Sequence, residues 1–150
     1  MGIAVLNVVK NLTAKIEKEK IKLLRLKVLA GNCTAELDGM PHAQNNSSRV
    51  ESLAAAITDC ENKINELKAV RIDCRIELSA WLGGHVKDPA QCQVLFYRYG
   101  LCKPFGVIAR ELNYSNSSVF RLHRLGLNAL QIRQTLSEVW EFDKALLQSA

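Results

Sequence analysis

Several features are scarce in this sequence of 150 residues, and each scarcity argues against a class of protein. The five cysteines are an odd number without a Cys-x-x-Cys pair, which argues against a disulfide scaffold and a zinc site and favours a reducing cytoplasm. Three prolines and eight glycines leave room for long helices, and a 6% aromatic content favours aliphatic packing between helices. No apolar run approaches the ~20 residues that span a membrane. The sequence therefore predicts a soluble, all-α protein.

The residue patterns of catalytic and cofactor sites are also missing. The sequence contains no Gly-rich phosphate loop ending in Gly-Lys, no paired carboxylates, no Ser-His-Asp order and no metal-ligand spacing. His123 lies near an apolar helix face without an accompanying acid or nucleophile, so it is interpreted as a structural residue. We expect no enzymatic activity, no cofactor and no bound metal.

Two stretches with a heptad pattern of apolar residues dominate the N-terminal half. The first covers about residues 3–30 and the second about 49–81, and a loop rich in Gly, Asn and Ser, residues 31–48, separates them. Since neither helix can bury its apolar stripe alone, we expect a long antiparallel hairpin that resembles a coiled coil. Glu19 and Arg71 interrupt the two stripes, and a pair between them would set the register of the hairpin.

The chain is predicted to divide after this hairpin. Residues 1–83 form the hairpin domain, and residues 84–150 form a second helical domain. A Gly-Gly pair ends the long second helix, and Asp88 and Pro89 begin the next helix as its N-cap and first-turn residue. The helical period continues beyond Leu130 and predicts an acidic C-terminal tail helix with one apolar side, which would pack on the hairpin or on a second copy of the chain.

Two short helices with a tight turn between them are predicted in the second domain. Apolar spacing predicts a helix over 105–112, the run 113–115 breaks it, and Ser115 is the N-cap of a helix that reaches about residue 132. One face of that helix is apolar and small, with Val119, Leu122, Gly126 and Leu130. The opposite face collects Ser117, Arg121, Arg124 and Asn128. This arrangement predicts a helix-turn-helix with residues 115–132 as its recognition helix.

The positive charge of the chain is concentrated in the same region. The formal net charge is +5, and residues 85–133 hold seven basic residues against two acidic ones, whereas the remainder sums to zero. Such a distribution suits a polyanionic partner, although seven cations are also compatible with an ordinary solvated surface. The lysines of the first long helix fit the solvated face of the hairpin.

The C-terminal region resembles a known family. The resemblance covers about 40 of the 150 residues. The matching residues are Val94-Leu95, Arg98-Tyr99-Gly100, Ile108-Ala109, Leu112, Tyr114-Ser115, Val119, Arg121-Leu122-His123, Leu127 and Leu130. This pattern is similar to that of small phage and prophage regulators whose C-terminal half is similar to region four of bacterial sigma factors. The chain departs from the pattern at Cys102–Phe105, where the family usually has a polar residue and an aromatic residue.

The resemblance implies sequence-specific binding of double-stranded DNA in phage gene control, in the cytoplasm of a bacterial host, with host RNA polymerase as a further contact. By match to the recognition helix, the residues facing DNA are Asn116, Ser117, Ser118, Arg121 and Arg124. An arginine that binds guanine through two hydrogen bonds would be the strongest single contact. The expected phosphate contacts are Arg98, Lys103, Arg110 and the backbone amides near Ser115 and Asn116.

A competing hypothesis assigns the working surface to the hairpin. In that case the chain is a phage-encoded adaptor or inhibitor, which binds a host protein such as RNA polymerase or a defence nuclease. A purely structural coiled coil would leave the arginines of the recognition helix unexplained. The apolar face of the second long helix and the apolar tail both favour a homodimer, although a compact monomer would also bury them. The sequence offers no membrane-binding segment.

Overall fold

All regular structure that the computed structural model describes is helical, which confirms the all-α prediction. The described residues are 2–35, 43–132 and 144. The helices are α1 (Gly2–Ala35), α2 (Ala43–His85), α3 (Pro89–Leu95), a π-helical turn (Phe96–Gly100), α4 (Phe105–Leu112) and α5 (Asn116–Ala129). Of the predicted C-terminal tail beyond Leu130, the structure describes Gln131 and Ile132, which are not helical, and Lys144; the rest lies outside the described residues.

The chain forms two compact units, and both long helices contribute to each of them. One unit contains Met1–Thr13 and Arg71–Ala150, and the other contains Ala14–Val70. These units cut across the predicted division at residue 83, because the first residues of α1 and the last turns of α2 belong to the same unit as the shorter helices.

The Ala14–Val70 unit is held by the predicted heptad stripes. Ile16, Cys60 and Ile64 are buried in a small apolar cluster. The partly buried residues packed against this cluster are Leu23, Leu26 and Leu67. All six residues belong to the predicted seam, which confirms that the three-four spacing identifies the contacting faces of α1 and α2 in this unit.

The predicted pair between Glu19 and Arg71 is wrong. The Glu19 carboxylate binds the Lys63 ammonium at 3.0 Å, and it also accepts the thiol hydrogen of Cys60 at 3.7 Å. The hydrogen bond from Lys63 lowers the pKa of Glu19. An acidic residue at a seam position is thus accommodated by a lysine that reaches the edge of the seam.

Both long helices extend further than predicted. α1 continues to Ala35 and α2 begins at Ala43, so the predicted loop 31–48 is shorter at both ends, and residues 36–42 lie outside the described part of the chain. At its other end α2 passes through Gly83 and Gly84 and ends at His85. The backbone amide of Val86 still donates to the Leu82 carbonyl at 2.9 Å, which shows that two exposed glycines do not by themselves stop a helix.

The other unit has two apolar clusters, and α3 contributes to both. Leu95 is buried in the larger cluster, whereas its neighbour Val94 is buried in the smaller one. The larger cluster further contains Leu6, Val9, Leu78, Leu82, Val86, Tyr99, Leu127 and Ile132. The smaller cluster further contains Phe105, Ile108, Ala109 and Val119. α3 therefore connects the last turns of α2 with the pair of short helices α4 and α5.

The start of α3 follows the sequence prediction. Asp88 is the N-cap, and its carboxylate accepts the backbone amide of Ala90 at 3.0 Å, with proline at the first helical position. After Leu95 the helix widens into the π-helical turn. Within this turn a Cβ at Gly100 would lie 2.8 Å from the Phe96 ring, so any other residue here would require that ring to move.

Replacing Gly126 by Ala should lower the free energy of unfolding by about 1–3 kcal/mol, since overpacking a closed core is destabilising. The added Cβ would lie 2.7 Å from Cδ1 and 3.1 Å from Cγ of Leu95, which is fully buried. Gly106→Ala is the matched control, because a Cβ there meets no heavy atom within 4 Å, and its higher helix propensity should give a change between zero and about 1 kcal/mol of stabilisation. Urea unfolding followed by circular dichroism would measure both, and equal midpoints would contradict tight packing of α3 on α5.

Candidate nucleic-acid interface

The turn between α4 and α5 is built by local hydrogen bonds. Asn113 takes a left-handed conformation with φ 57°, and the amide of Tyr114 donates to the Ala109 carbonyl at 2.9 Å. Ser115 then caps α5, because its hydroxyl oxygen accepts the Ser118 amide at 3.2 Å. The predicted helix 105–112, the break and the N-cap are confirmed.

The C-terminal end of α5 comes earlier than predicted. The helix ends at Ala129 instead of about Ile132. Gln131 has φ 57°, and the amide of Ile132 donates to the Leu127 carbonyl at 2.9 Å, as in a left-handed helix cap. The buried side chain of Ile132 then joins the larger apolar cluster, which explains why the chain leaves the helix here.

α5 has one buried face and one exposed face, divided much as the periodicity predicted. Val119, His123, Gly126 and Leu127 are buried. The four predicted outward residues, Ser117, Arg121, Arg124 and Asn128, are all exposed. This face carries two cations and two neutral side chains that donate and accept hydrogen bonds, so it is suited to a polar, negatively charged surface.

The serines at the start of α5 have different environments. The Ser115 hydroxyl is held by the Ser118 hydroxyl at 2.8 Å in addition to the capping bond, and Ser118 is partly buried. Asn116 and Ser117 are exposed beside them. Ser117 is also linked to the cap, because its hydroxyl forms a hydrogen bond with the Ser115 hydroxyl at 3.2 Å. Of the predicted DNA-facing residues in this turn, Asn116 and Ser117 remain exposed, whereas Ser118 is partly buried and bound within the cap.

Arg98 is not a phosphate-binding residue, which corrects the prediction. Its side chain is 1% exposed, and its guanidinium carbon lies 4.0 Å from the centre of the Phe105 ring. One guanidinium nitrogen donates to the Lys103 carbonyl at 3.4 Å. Stacking on an aromatic face and hydrogen bonding to backbone compensate the loss of hydration, so Arg98 is a core residue of this unit.

The two other predicted phosphate contacts remain at the surface. Arg110 is exposed on α4. The ammonium of Lys103 contacts both carboxylate oxygens of Glu111, at 2.6 and 2.8 Å, and lies 5.3 Å from the centre of the Tyr97 ring. Glu111 therefore neutralises part of the charge that Lys103 would offer to a phosphate.

Phe120 is a further residue of this surface, and it was not among the residues predicted from the sequence. Its side chain is 48% exposed, and its ring centre lies 4.6 Å from that of Phe105. It precedes Arg121 and follows Ser117 by about one helical turn, so the spacing of the polar face could have identified it. An aromatic residue at such a position is easily assigned to the core from its type alone.

His123 has the structural role that its sequence environment indicated. It is buried, its Nε2 forms a hydrogen bond with the Tyr99 hydroxyl at 3.0 Å, and its ring meets the edge of Phe105 at 4.9 Å between centres. Burial, with a smaller contribution from the charge of Arg98, lowers the pKa of His123 to about 3. The imidazole is therefore neutral at physiological pH and serves packing and hydrogen bonding.

Comparison of this chain with protein-family models, curated proteins and solved structures gives no match. The family resemblance therefore rests on the motif residues alone. Within residues 2–35, 43–132 and 144, no three His, Cys, Asp or Glu side chains are grouped as metal ligands. None of the helices in that part of the chain is long and apolar enough to cross a membrane.

The free energy of unfolding should fall as the pH is lowered from about 6.5 towards about 3, because unfolded His123 takes up a proton in this window and folded His123 does not. Above this window neither state binds the proton, so His123 makes no pH-dependent contribution there. His123→Gln keeps a hydrogen-bond acceptor for Tyr99 but cannot take up the proton, so its stability should fall less steeply. Chemical unfolding at a series of pH values would measure this difference, and parallel profiles for both proteins would refute it.

Proposed function

We propose that this chain is a sequence-specific DNA-binding transcriptional regulator of phage or prophage type, which acts in the bacterial cytoplasm without an enzymatic step. In this proposal α1 and α2 form the predicted antiparallel hairpin, α4 and α5 form a helix-turn-helix, and α5 enters the major groove. The observation that carries it is the exposed face of α5, where Arg121 and Arg124 stand beside hydrogen-bonding side chains and form no ion pair with another described residue.

The chemistry of this face fits base edges. An arginine can donate two parallel hydrogen bonds to O6 and N7 of guanine, and asparagine can pair in the same way with adenine. Arg121 lies about one turn after Ser117, and Arg124 lies one turn further, so the three side chains follow one line along the helix. We assign Arg121, Arg124 and Ser117 to base recognition, with Asn116 at the edge of the groove.

Phosphate contacts would orient the helix on the duplex. The first backbone amides of α5, at Asn116 and Ser117, belong to the helix N-terminus, where the helix dipole favours an anion. Arg110 is exposed on the preceding helix and adds a cation, and Lys103 would contribute on exchanging Glu111 for a phosphate. These groups bind any sequence, so they would supply affinity but little specificity.

A second copy of the chain is part of this proposal. Ile72 and Ile76 are 55% and 63% exposed and lie one turn apart on α2, with the exposed, uncharged Ser79 next along the same face. Burying two such side chains in water-free contact is favourable, and a two-fold dimer would place two recognition helices on successive half-sites.

The alternative, an adaptor that binds a host protein, is favoured by a face of α1. Ile21, Leu24 and Val28 are 52%, 64% and 56% exposed, at the three-four spacing of a helix-pairing stripe. Exposed Lys18, Lys22 and Arg25 border them, so this face would suit an acidic amphipathic helix. A host RNA polymerase subunit or a defence nuclease would be a partner of this kind.

Salt dependence separates the two functions. Fluorescence anisotropy with the upstream region of the gene and a random duplex, at low and moderate salt, should show a preference for one sequence that persists at moderate salt. Sequence-blind binding that disappears with salt would contradict the proposal and favour the adaptor.

Arg121→Ala should weaken binding to the preferred duplex by about 1–3 kcal/mol and relax specificity at one base pair, because a base contact is lost. Lys103→Ala should instead weaken binding to all duplexes alike and reduce the salt slope. Arg25→Ala removes an exposed cation from α1 and is the matched control, with unchanged affinity expected. The assignment fails if Arg121→Ala binds every duplex as the parent protein does.

Ile76→Lys should shift the protein from dimer to monomer, since a charge would be introduced into the dimer contact. Sedimentation velocity over a range of concentrations would measure the shift. Val28→Lys introduces the same charge at a residue of similar exposure on α1 and should leave the dimer intact. A parent protein that is monomeric at every concentration would contradict the proposed contact.

A further inference from the structure

We propose that Phe120 recognises the methyl group of thymine in the major groove, so that the preferred DNA site has a thymine opposite the N-terminal half of α5. This inference rests on the proposed DNA-binding function and adds a specificity residue to it. It arises from the exposure and support of the Phe120 ring, and from the chemistry of the side chains around it.

The Phe120 ring is exposed on one side and supported on the other. It is 48% exposed, whereas Phe105, on which it packs at 4.6 Å between ring centres, is 3% exposed. The guanidinium of Arg98 lies over the Phe105 ring at 4.0 Å, and the His123 ring lies nearly perpendicular to that ring at 4.9 Å between centres. The support beneath Phe120 is thus a closed cluster, which holds the exposed ring in one position before any ligand binds.

The neighbours of Phe120 on the exposed side are polar. Ser117 and Arg124 lie within about 60° of it around the helix, at 100° per residue, and Arg121 lies about 100° away. The surface that binds this face of α5 should therefore be mostly polar and should offer one apolar group to the Phe120 ring. In the major groove this apolar group is the C5-methyl group of thymine, which phenylalanine is able to contact.

Position along α5 distinguishes Phe120 from the other large exposed apolar residue of this helix. Leu125 is 41% exposed but lies in the second half of α5. In helix-turn-helix proteins the N-terminal residues of the recognition helix contact the base edges. Phe120 is in that half, one residue before Arg121, so the two residues would read adjacent base pairs.

The test first selects a preferred duplex from a random library and then replaces each thymine in turn by deoxyuridine, which removes only the methyl group. With the parent protein, one replacement should lower the affinity by about fourfold, the value for one buried methyl group. With Phe120→Ala that replacement should have no further effect, because the ring is already absent. Leu125→Ala is the matched control and should retain the full fourfold sensitivity.

The variants separate recognition from folding. Phe120→Leu keeps an apolar contact with Phe105 and should retain part of the methyl sensitivity, so a folding defect in Phe120→Ala leaves the test intact. Two results with a specifically bound duplex would overturn the role of Phe120. In one, the deoxyuridine replacement lowers the affinity of the parent protein and of both Phe120 variants equally; in the other, no replacement changes the affinity. Either result would leave DNA binding standing and would point to a protein contact for the ring. Failure to select any duplex would instead refute the proposed function itself.

Discussion

A buried guanidinium over a phenyl ring organises the unit that carries the candidate interface. Arg98 comes from the π-helical turn and Phe105 from the first residue of α4, so their stack joins two consecutive elements. The Phe105 ring also meets His123 and Phe120 of α5. A buried charge is costly unless it is well compensated, so this cluster permits few alternative arrangements. The residues of α5 that pack on this cluster fix the rotation of the helix. The residues on its opposite side are exposed as a consequence.

The elements predicted correctly from sequence are those with local or periodic causes. Asp88 and Ser115 have side-chain oxygens that accept backbone amides of the next helix, and such caps depend only on neighbouring residues. The seam around Ile16 and Ile64 follows from periodic apolar spacing, which must face a partner helix whatever the rest of the chain does. The exposure of Arg121 and Arg124 follows from the same periodicity, since the buried face of α5 was recognisable.

The wrong predictions concern features that depend on packing between residues far apart in the sequence. A π-helical turn shifts the helix by one residue, and the residues that stabilise it, such as Arg75 donating to the Gly100 carbonyl at 2.8 Å, come from another helix. Arg98 appeared to be a phosphate contact because arginine is usually exposed, and only the position of Phe105 reveals its burial. For Glu19, the predicted partner was the seam residue Arg71, whereas the ammonium that reaches its carboxylate is that of Lys63, which lies outside the seam.

For the proposed DNA-binding function, the exposed side chains limit how much specificity one α5 can provide. Ser115 and Ser118 are engaged in the helix cap and Lys103 is paired with Glu111, so the groups open to base edges are few. Each good base contact contributes about 1–3 kcal/mol, whereas specific sites are typically favoured over random DNA by about 4–10 kcal/mol. Three or four such contacts sum to about 3–12 kcal/mol, so one short helix falls below this range when its contacts are weak. In the proposed dimer a second recognition helix would add its own contacts, so the exposed Ile72 and Ile76 of α2 would contribute to recognition together with the arginines of α5.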